Sequence, residues 1–219
     1  GDTERILIPT MMQKVDISNP INQTSNTMPL LSQNISIIET GAHSQVFRKL
    51  FDFLGIKVLI ITDIDPANKN GNNRLTSCSA VEATSTTNAS IKNFFDISGD
   101  EVFSTVAQKS SAEKITSDGR IRIAYQIPED ENGYQPASFE DAFISLNKQF
   151  IIDQKAGFIQ FKALKDFDDS EIEDFYKFAR DKVNKKSAFA SSLLYFEGEE
   201  NTWKVPNYIS EGLLWLRKQ

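Results

Sequence analysis

Residues 57–68 read KVLIITDIDPAN, an apolar run followed by two aspartates, Asp63 and Asp65, that are one residue apart. Side chains alternate across a strand, so both carboxylates are expected on one side where the strand leaves its sheet. Ligands of open parallel sheets gather beyond the carboxyl ends of strands, and oxygen-only ligands suit Mg²⁺ or Mn²⁺. The pair therefore predicts a divalent-cation site. The ordinary alternative is that Asp63 caps the next segment and that Asp65 and Pro66 start a turn.

Composition narrows the class of protein. The 219 residues are 40% hydrophobic and include 16 phenylalanines, enough to bury a core. A net charge of −6 argues against binding nucleic acid with the whole surface, but clustered acidic metal ligands are compatible with a nuclease. The single histidine, His43, is expected to be structural and argues against a His-dependent hydrolase. The single cysteine, Cys78, excludes an internal disulfide and a Cys-based zinc site, and it favours a reducing cytoplasm.

The order of predicted elements indicates an α/β fold. Residues 35–40 (ISIIET) and 57–63 are predicted strands, and residues 43–54 between them have apolar side chains at helical spacing. A strand–helix–strand order predicts a parallel sheet. Residues 66–90 are expected to form a long loop, and residues 120–127 (RIRIAYQI) a further strand. Most of the chain after residue 138 is expected to be helical, and no apolar run approaches the roughly 18 residues of a membrane helix.

An acidic pair that follows at least the second strand resembles the Toprim fold, whose signature is a glutamate after the first strand and a DxD after a later one. A haloacid-dehalogenase-type phosphatase would instead place its DxD after the first strand. Within the Toprim group, the chain resembles the OLD-family (overcoming lysogenization defect) nucleases nearly from end to end. The segments that carry this resemblance are GDTERILIP (1–9), LFDFLGIKVLIITDIDP (50–66), TSTTNASIKNFF (84–95), YQIPED (125–130), SFEDAFISLN (138–147), KKSAFASSLLYFE (185–197) and VPNYISEGLLWL (205–216).

The resemblance implies a set of site residues. The metal ligands would be Glu4, Asp63, Asp65 and Glu140, and the catalytic lysine would be Lys186 rather than its neighbour. Each residue type also has an ordinary interpretation. Glu4 and Glu140 could be first-turn acids that complement a helix dipole, and Lys186 a solvated charge between helices. The neighbour of Glu140, Asp141, is a reserve ligand.

The resemblance also implies a domain organisation. Residues 1–219 would form one Toprim nuclease domain, with a candidate insertion at 96–138 and a mostly helical part at 139–219. The family's leading glutamate and first strand are expected to precede Gly1. In the family an ABC-type ATPase domain precedes Toprim. This chain has no G-x-x-x-x-G-K-[ST] motif, so the resemblance implies that the ATPase domain lies upstream of it. Both expectations fit a C-terminal fragment of a longer protein.

The function implied is that of a cytoplasmic, metal-dependent DNA endonuclease. Two divalent ions, Mg²⁺ or Mn²⁺, about 4 Å apart would activate a water and stabilise the leaving 3′ oxygen. The expected partners are DNA, the upstream ATPase domain and further copies of the protein through that domain, without a membrane. Members of the family occur in phage defence. The alternatives are a Toprim-like module that binds nucleic acid or protein without cutting, and a metal-dependent phosphatase.

Overall fold

The structure is a computed structural model, and it describes residues 2–21, 27–99, 102–129, 133–154, 174–183, 185–196 and 202–217. Within these residues the chain has the predicted α/β fold, with a parallel sheet, helices around it and a helical C-terminal part. The strands are β1 (Val58–Ile61), β2 (Pro66–Lys69), β3 (Leu75–Ser77), β4 (Ser85–Thr86) and β5 (Ile121–Ala124). The helices are α1 (Asp2–Ser18), α2 (Arg48–Leu54), α3 (Ala89–Phe94), α4 (Phe103–Ala107), α5 (Phe139–Leu146), α6 (Lys148–Gln154), α7 (Phe175–Lys182), α8 (Lys186–Leu194) and α9 (Asn207–Arg217). Two short 3₁₀ helices cover Leu30–Ser32 and Ser44–Phe47.

The parallel sheet of the described residues consists of β1 and β5. Val58 lies opposite Ile121 and Ile61 lies opposite Ala124, so the two strands end at the same edge. The same register continued two residues further sets Asp63 beside Gln126. The two strands therefore deliver polar side chains to one place beyond their carboxyl ends.

Each face of this sheet packs against a separate hydrophobic core. On one face, Leu59, Ile61 and Ala124 contact a core formed largely by α1, α5, α8 and α9. On the other face, Ile60, Ile123 and Tyr125 contact a smaller core that includes residues of α3 and α4. Alternate residues of each strand thus serve opposite cores, as strand geometry requires. This sandwiching holds the end of β1 in place.

Helix α9 lies very close to the sheet at Gly212. A Cβ atom at this position would lie 2.9 Å from Leu59 Cδ1 and 3.3 Å from Ala124 Cβ. The absence of a side chain therefore allows the helix backbone to approach β1 and β5. The approach brings Tyr208, in the first turn of α9, to the edge where the two strands end.

The long loop predicted at 66–90 is wrong in part. Residues of this stretch form a three-stranded antiparallel sheet in the order β3–β2–β4. The turn between β2 and β3 is made by asparagine and glycine, with Asn73 at φ +59° and the Asn70 side chain accepting hydrogen bonds from the backbone N–H groups of Asn72 and Arg74. Asn and Gly favour such turns, so the composition that indicated a loop marks a hairpin.

The predicted strand at 35–40 is also wrong. The described residues 34–40 have no regular secondary structure, and the Ile37 and Ile38 side chains are 45% and 58% exposed. A short run of β-branched residues fits a half-buried sheet, but it forms a strand only where a neighbouring strand provides pairing. The other predictions of this region hold: a 3₁₀ turn and α2 occupy 44–54, and Gly55 ends α2 at φ +62°.

Two further expectations concern organisation. None of the helices in the described ranges is long and apolar enough to cross a membrane. The candidate insertion at 96–138 stays a prediction, and β5, which lies within that range, pairs with β1 of the parallel sheet.

Candidate metal centre

Asp63 lies two residues beyond β1, where two other segments contact it. Its Oδ1 accepts hydrogen bonds from the Gln126 side-chain amide at 2.5 Å and from the Phe139 backbone N–H at 3.1 Å. The second donor is the first N–H of α5, a group without a partner inside the helix. The carboxylate of Asp63 therefore joins the end of the parallel sheet to the beginning of α5.

Asp65 reaches the same place through a turn rather than through strand alternation. Strand β1 ends at Ile61, and Asp65 has a left-handed backbone with φ +46°. Its Oδ2 accepts a hydrogen bond of 3.0 Å from the buried side chain of Asn88. The interpretation of the pair as successive outward residues of one strand is therefore wrong, although both carboxylates lie beyond the same strand end.

Glu140 and Lys186 form an ion pair beside the two aspartates. Lys186 Nζ lies 2.8 Å from Glu140 Oε2, and the hydroxyl of Thr3 donates to Glu140 Oε1 at 3.1 Å. Glu140 is in the first turn of α5, Lys186 is the first residue of α8, and Thr3 is in the first turn of α1. Three helix starts thus meet at one carboxylate, whose side chain is 4% exposed.

The acidic side chains act on one another electrostatically. Burial raises the pKa of Asp63 well above its usual range, and the charges of Glu4, Glu140 and Asp65 raise it further, while Lys186 opposes them. Burial also raises the pKa of Asp65, against the hydrogen bond from Asn88. The structure therefore brings together all five residues named from the sequence, and their negative charge exceeds the positive charge that Lys186 supplies. Their roles as ligands and catalyst stay predictions.

Lys186 responds to the same charges. Burial by itself would lower the pKa of Lys186, but the adjacent Glu140 carboxylate, together with Asp63 and Glu4, raises it above its usual value. The side chain is nevertheless 57% exposed, so its ammonium group also reaches solvent. Lys186 is therefore a protonated cation at the rim of an acidic site.

Asp141, the reserve ligand, has a structural role instead. Its two oxygens accept hydrogen bonds from the Ala137 and Ser138 N–H groups and from the hydroxyls of Ser138 and Tyr134, all within 2.8 Å. Together with Ser138 it forms a capping box at the start of α5. The first-turn interpretation is thus correct for Asp141, and Glu140 remains the residue that faces the acidic site.

Sequence reasoning missed the neutral side chains of the site. Gln126 donates to Asp63 and to the Tyr208 hydroxyl, and its Oε1 accepts from the Ile64 N–H at 2.7 Å. Tyr208 is buried; burial, followed by the charges of Glu4, Asp63 and other carboxylates, raises its pKa well above the usual value. The available signal was the position of Gln126 near the end of the strand predicted at 120–127, because ligands gather beyond the carboxyl ends of parallel strands.

The donor set fits a hard divalent cation in its chemistry. It consists of carboxylates, and the mutual repulsion that raises the Asp63 pKa is the repulsion that a cation would relieve. However, Asp63, Asp65 and Glu140 each accept hydrogen bonds from protein donors. Within the described ranges, no three acidic, histidine or cysteine side chains are close enough to surround one ion. Metal binding would therefore require side-chain rotations about a backbone frame already in place.

The fold and the site define a class of protein: an α/β domain of the Toprim type, with an acidic cluster beyond the end of its DxD strand. Residues 1–65 match the family described as "Overcoming lysogenization defect protein-like, TOPRIM domain". The chain thus carries an OLD-like Toprim domain, and the resemblance drawn from its motifs is confirmed.

One relative extends the similarity beyond residues 1–65. Endonuclease GajA of Bacillus cereus (strain HuB5-5) is 33% identical over 189 residues, which is 82% of this chain and 26% of GajA. The chain therefore spans about a quarter of the length of that relative. No solved structure matches the chain.

Proposed function

We propose that this chain is the nuclease domain of a metal-dependent endonuclease that hydrolyses phosphodiester bonds in DNA. The observation that carries the proposal is the meeting of Glu4, Asp63, Asp65 and Glu140 with a single lysine at the carboxyl edge of a Toprim-type sheet. The name of the relative, an endonuclease, supports the same reaction class.

The four carboxylates would hold two divalent ions, Mg²⁺ or Mn²⁺. When bound, such ions supply Lewis acidity and a nucleophilic water at neutral pH. The chain's own contribution would be to position the carboxylates, with the beginning of α5 in contact with the half-buried Asp63 and Tyr208 of α9 reaching it through Gln126. Lys186, at the exposed rim, would turn from Glu140 to the extra negative charge that forms on the phosphate in the transition state.

The remaining parts of the proposal concern the whole protein. The upstream ATPase domain, assembly with further copies through that domain, a cytoplasmic location and a role in phage defence all follow from the family resemblance. They are proposed here because the chain covers only 26% of its relative.

The proposal is tested with the full-length protein and supercoiled plasmid DNA under Mg²⁺ or Mn²⁺ titration. Conversion to nicked or linear DNA is expected only with the metal, and Asp63→Ala should abolish it. A chromogenic phosphomonoester serves as the parallel substrate: its hydrolysis without DNA cleavage would support the phosphatase alternative and overturn the nuclease assignment.

A non-cleaving interaction module is the second candidate, favoured by one observation. Within the described ranges no three potential ligands lie close enough together to hold one ion, and the acidic side chains accept hydrogen bonds from protein donors. This candidate predicts DNA or protein binding that is unaffected by chelation with EDTA and by Asp63→Ala. Metal-dependent cleavage would overturn it.

A further inference from the structure

We propose that Asn88 is the positioning residue of the acidic site, a role that rests on the proposed metal-dependent function. Asn88 immediately precedes α3 and is completely buried. Its side-chain amide donates to Asp65 Oδ2 at 3.0 Å, to the Asp63 carbonyl oxygen at 2.8 Å and to the Thr62 hydroxyl at 2.8 Å. One side chain thus contacts three of the four residues from 62 to 65.

The other end of the same side chain is fixed to a helix. Asn88 Oδ1 accepts the Ile91 N–H at 3.1 Å, which makes Asn88 the N-cap of α3. Its backbone N–H donates to the Thr86 hydroxyl, which in turn donates to the Ile64 carbonyl oxygen at 2.6 Å. The amide is therefore held rigidly, and it cannot follow the aspartates if they move.

The turn that Asn88 contacts is one that needs support. Asp65 has φ +46°, a left-handed conformation that is strained for a non-glycine residue and persists only where its surroundings impose it. The Thr87 N–H donates to the Asp65 carbonyl oxygen at 3.0 Å, so β4 and the residues after it hold this turn from one side. Asn88 adds the contact to the carboxylate itself.

The hydrogen bonds of Asn88 leave part of the Asp65 carboxylate available to a cation. A side-chain amide has two N–H groups, and three acceptors lie within 3.0 Å of Asn88 Nδ2. The bond to Asp65 is made to Oδ2, and ligating carboxylates are commonly oriented by such a hydrogen bond. Asn88 can therefore hold Asp65 in place while the other oxygen, Oδ1, binds a cation.

The test compares Asn88→Ser with Asn147→Ser in the full-length protein. Serine keeps an N-cap at position 88 but cannot reach Asp65. Asn147 is the matched control: it is also buried, its amide donates to the carbonyl oxygens of Phe143 and Lys204, and it lies at the opposite end of α5 from Glu140. Both variants are expected to lower the melting temperature without metal.

Only Asn88→Ser is expected to change the metal response. The Mn²⁺ concentration that gives half of the maximal increase in melting temperature should rise about 10–100-fold, the range found when groups supporting metal ligands are removed. Cleavage should fall in parallel and recover in part at high Mn²⁺. Should Asn88→Ser not fold, Asn88→Asp keeps the cap and the volume but removes the donor, and it should lower cleavage at limiting Mn²⁺ at least about tenfold.

Four results would overturn the inference. A half-saturating Mn²⁺ concentration within about twofold of the unaltered protein would show that Asn88 supports folding alone. Equal changes in the half-saturating Mn²⁺ concentration of Asn88→Ser and Asn147→Ser would also show that Asn88 has no specific role at the site. An unchanged cleavage rate in Asn88→Asp would lead to the same conclusion. Absence of any metal response in the unaltered protein would overturn the proposed function together with this inference. A metal response that is present in the unaltered protein and unchanged in Asn88→Ser would overturn this inference alone.

Discussion

Replacing Lys186 by alanine tests the acidic site most directly. The change removes a cation 2.8 Å from Glu140, whose buried carboxylate would keep the hydrogen bond from Thr3. Loss of one partner of a buried charged group costs about 1–3 kcal/mol. Since the Lys186 side chain is 57% exposed, water replaces part of the interaction, and the expected cost is about 1–2 kcal/mol. For a chain of this length the metal-free melting temperature should fall by about 2–8 °C.

Catalysis should suffer more than stability. If Lys186 stabilises charge that develops only in the transition state, Lys186→Ala should reduce the cleavage rate about 10²–10³-fold with little change in metal binding. The assay is single-turnover plasmid cleavage, paired with melting curves at several Mn²⁺ concentrations. Lys185→Ala is the control, because Lys185 precedes α8 and its side chain makes no capping hydrogen bond. It should remain close to the unaltered protein in both measurements.

Two outcomes would refute this reasoning. Equal losses of cleavage in the two lysine variants would indicate a basic surface that binds DNA, with salt-dependent affinity as its mark. An unchanged melting temperature together with unchanged cleavage in Lys186→Ala would mean that the ion pair with Glu140 contributes neither to folding nor to the reaction.

Three further predictions follow from the contacts described above. Because the folded-state pKa of Asp63 is raised, the metal-free protein should lose stability as pH rises from about 4 through that pKa. Asp63→Asn should reduce this loss in melting curves taken across the pH range. The same pH dependence in the variant would show that burial and the neighbouring carboxylates do not raise the pKa of Asp63. Asp141→Asn should cost about 1–3 kcal/mol in urea unfolding yet leave the Mn²⁺-induced increase in melting temperature intact, which a metal ligand would not. Gly212→Ala should destabilise by about 1–3 kcal/mol in the same assay, since its Cβ would lie 2.9 Å from Leu59 Cδ1; neutrality would mean that α9 shifts at no cost.

Local patterns were sufficient for much of the fold. The apolar run before Asp63 predicted β1, the alternation of 120–127 predicted β5, and glycine at 55 predicted the end of α2. The failures came where pairing partners decide the structure. Residues 35–40 have strand-like composition without a described partner strand, and the polar stretch after Asp65 pairs with itself.

The site was predictable to a smaller extent from residues alone. The two aspartates after a buried strand indicated a cation site, but first-turn acids such as Glu4 and Glu140 also have an ordinary interpretation, and only the family resemblance distinguished them. Neither the left-handed backbone of Asp65 nor the approach of Asn88 could be predicted, because both depend on how β4 returns to the end of β1. Gln126 required knowledge that β5 is the neighbour of β1.

The acidic site is assembled from residues that are widely separated along the chain. Glu4 and Lys186 are 182 positions apart, and Tyr208 lies later still. Contacts of such sequence separation form late in folding, because the loop between them must close first. During synthesis the ribosome must therefore release α8 and α9 before Lys186 can pair with Glu140 and before Tyr208 can pack beside the carboxylates. A nascent or truncated chain that ends before Lys186 lacks both helices, which pack against one face of β1, and it therefore lacks the complete site.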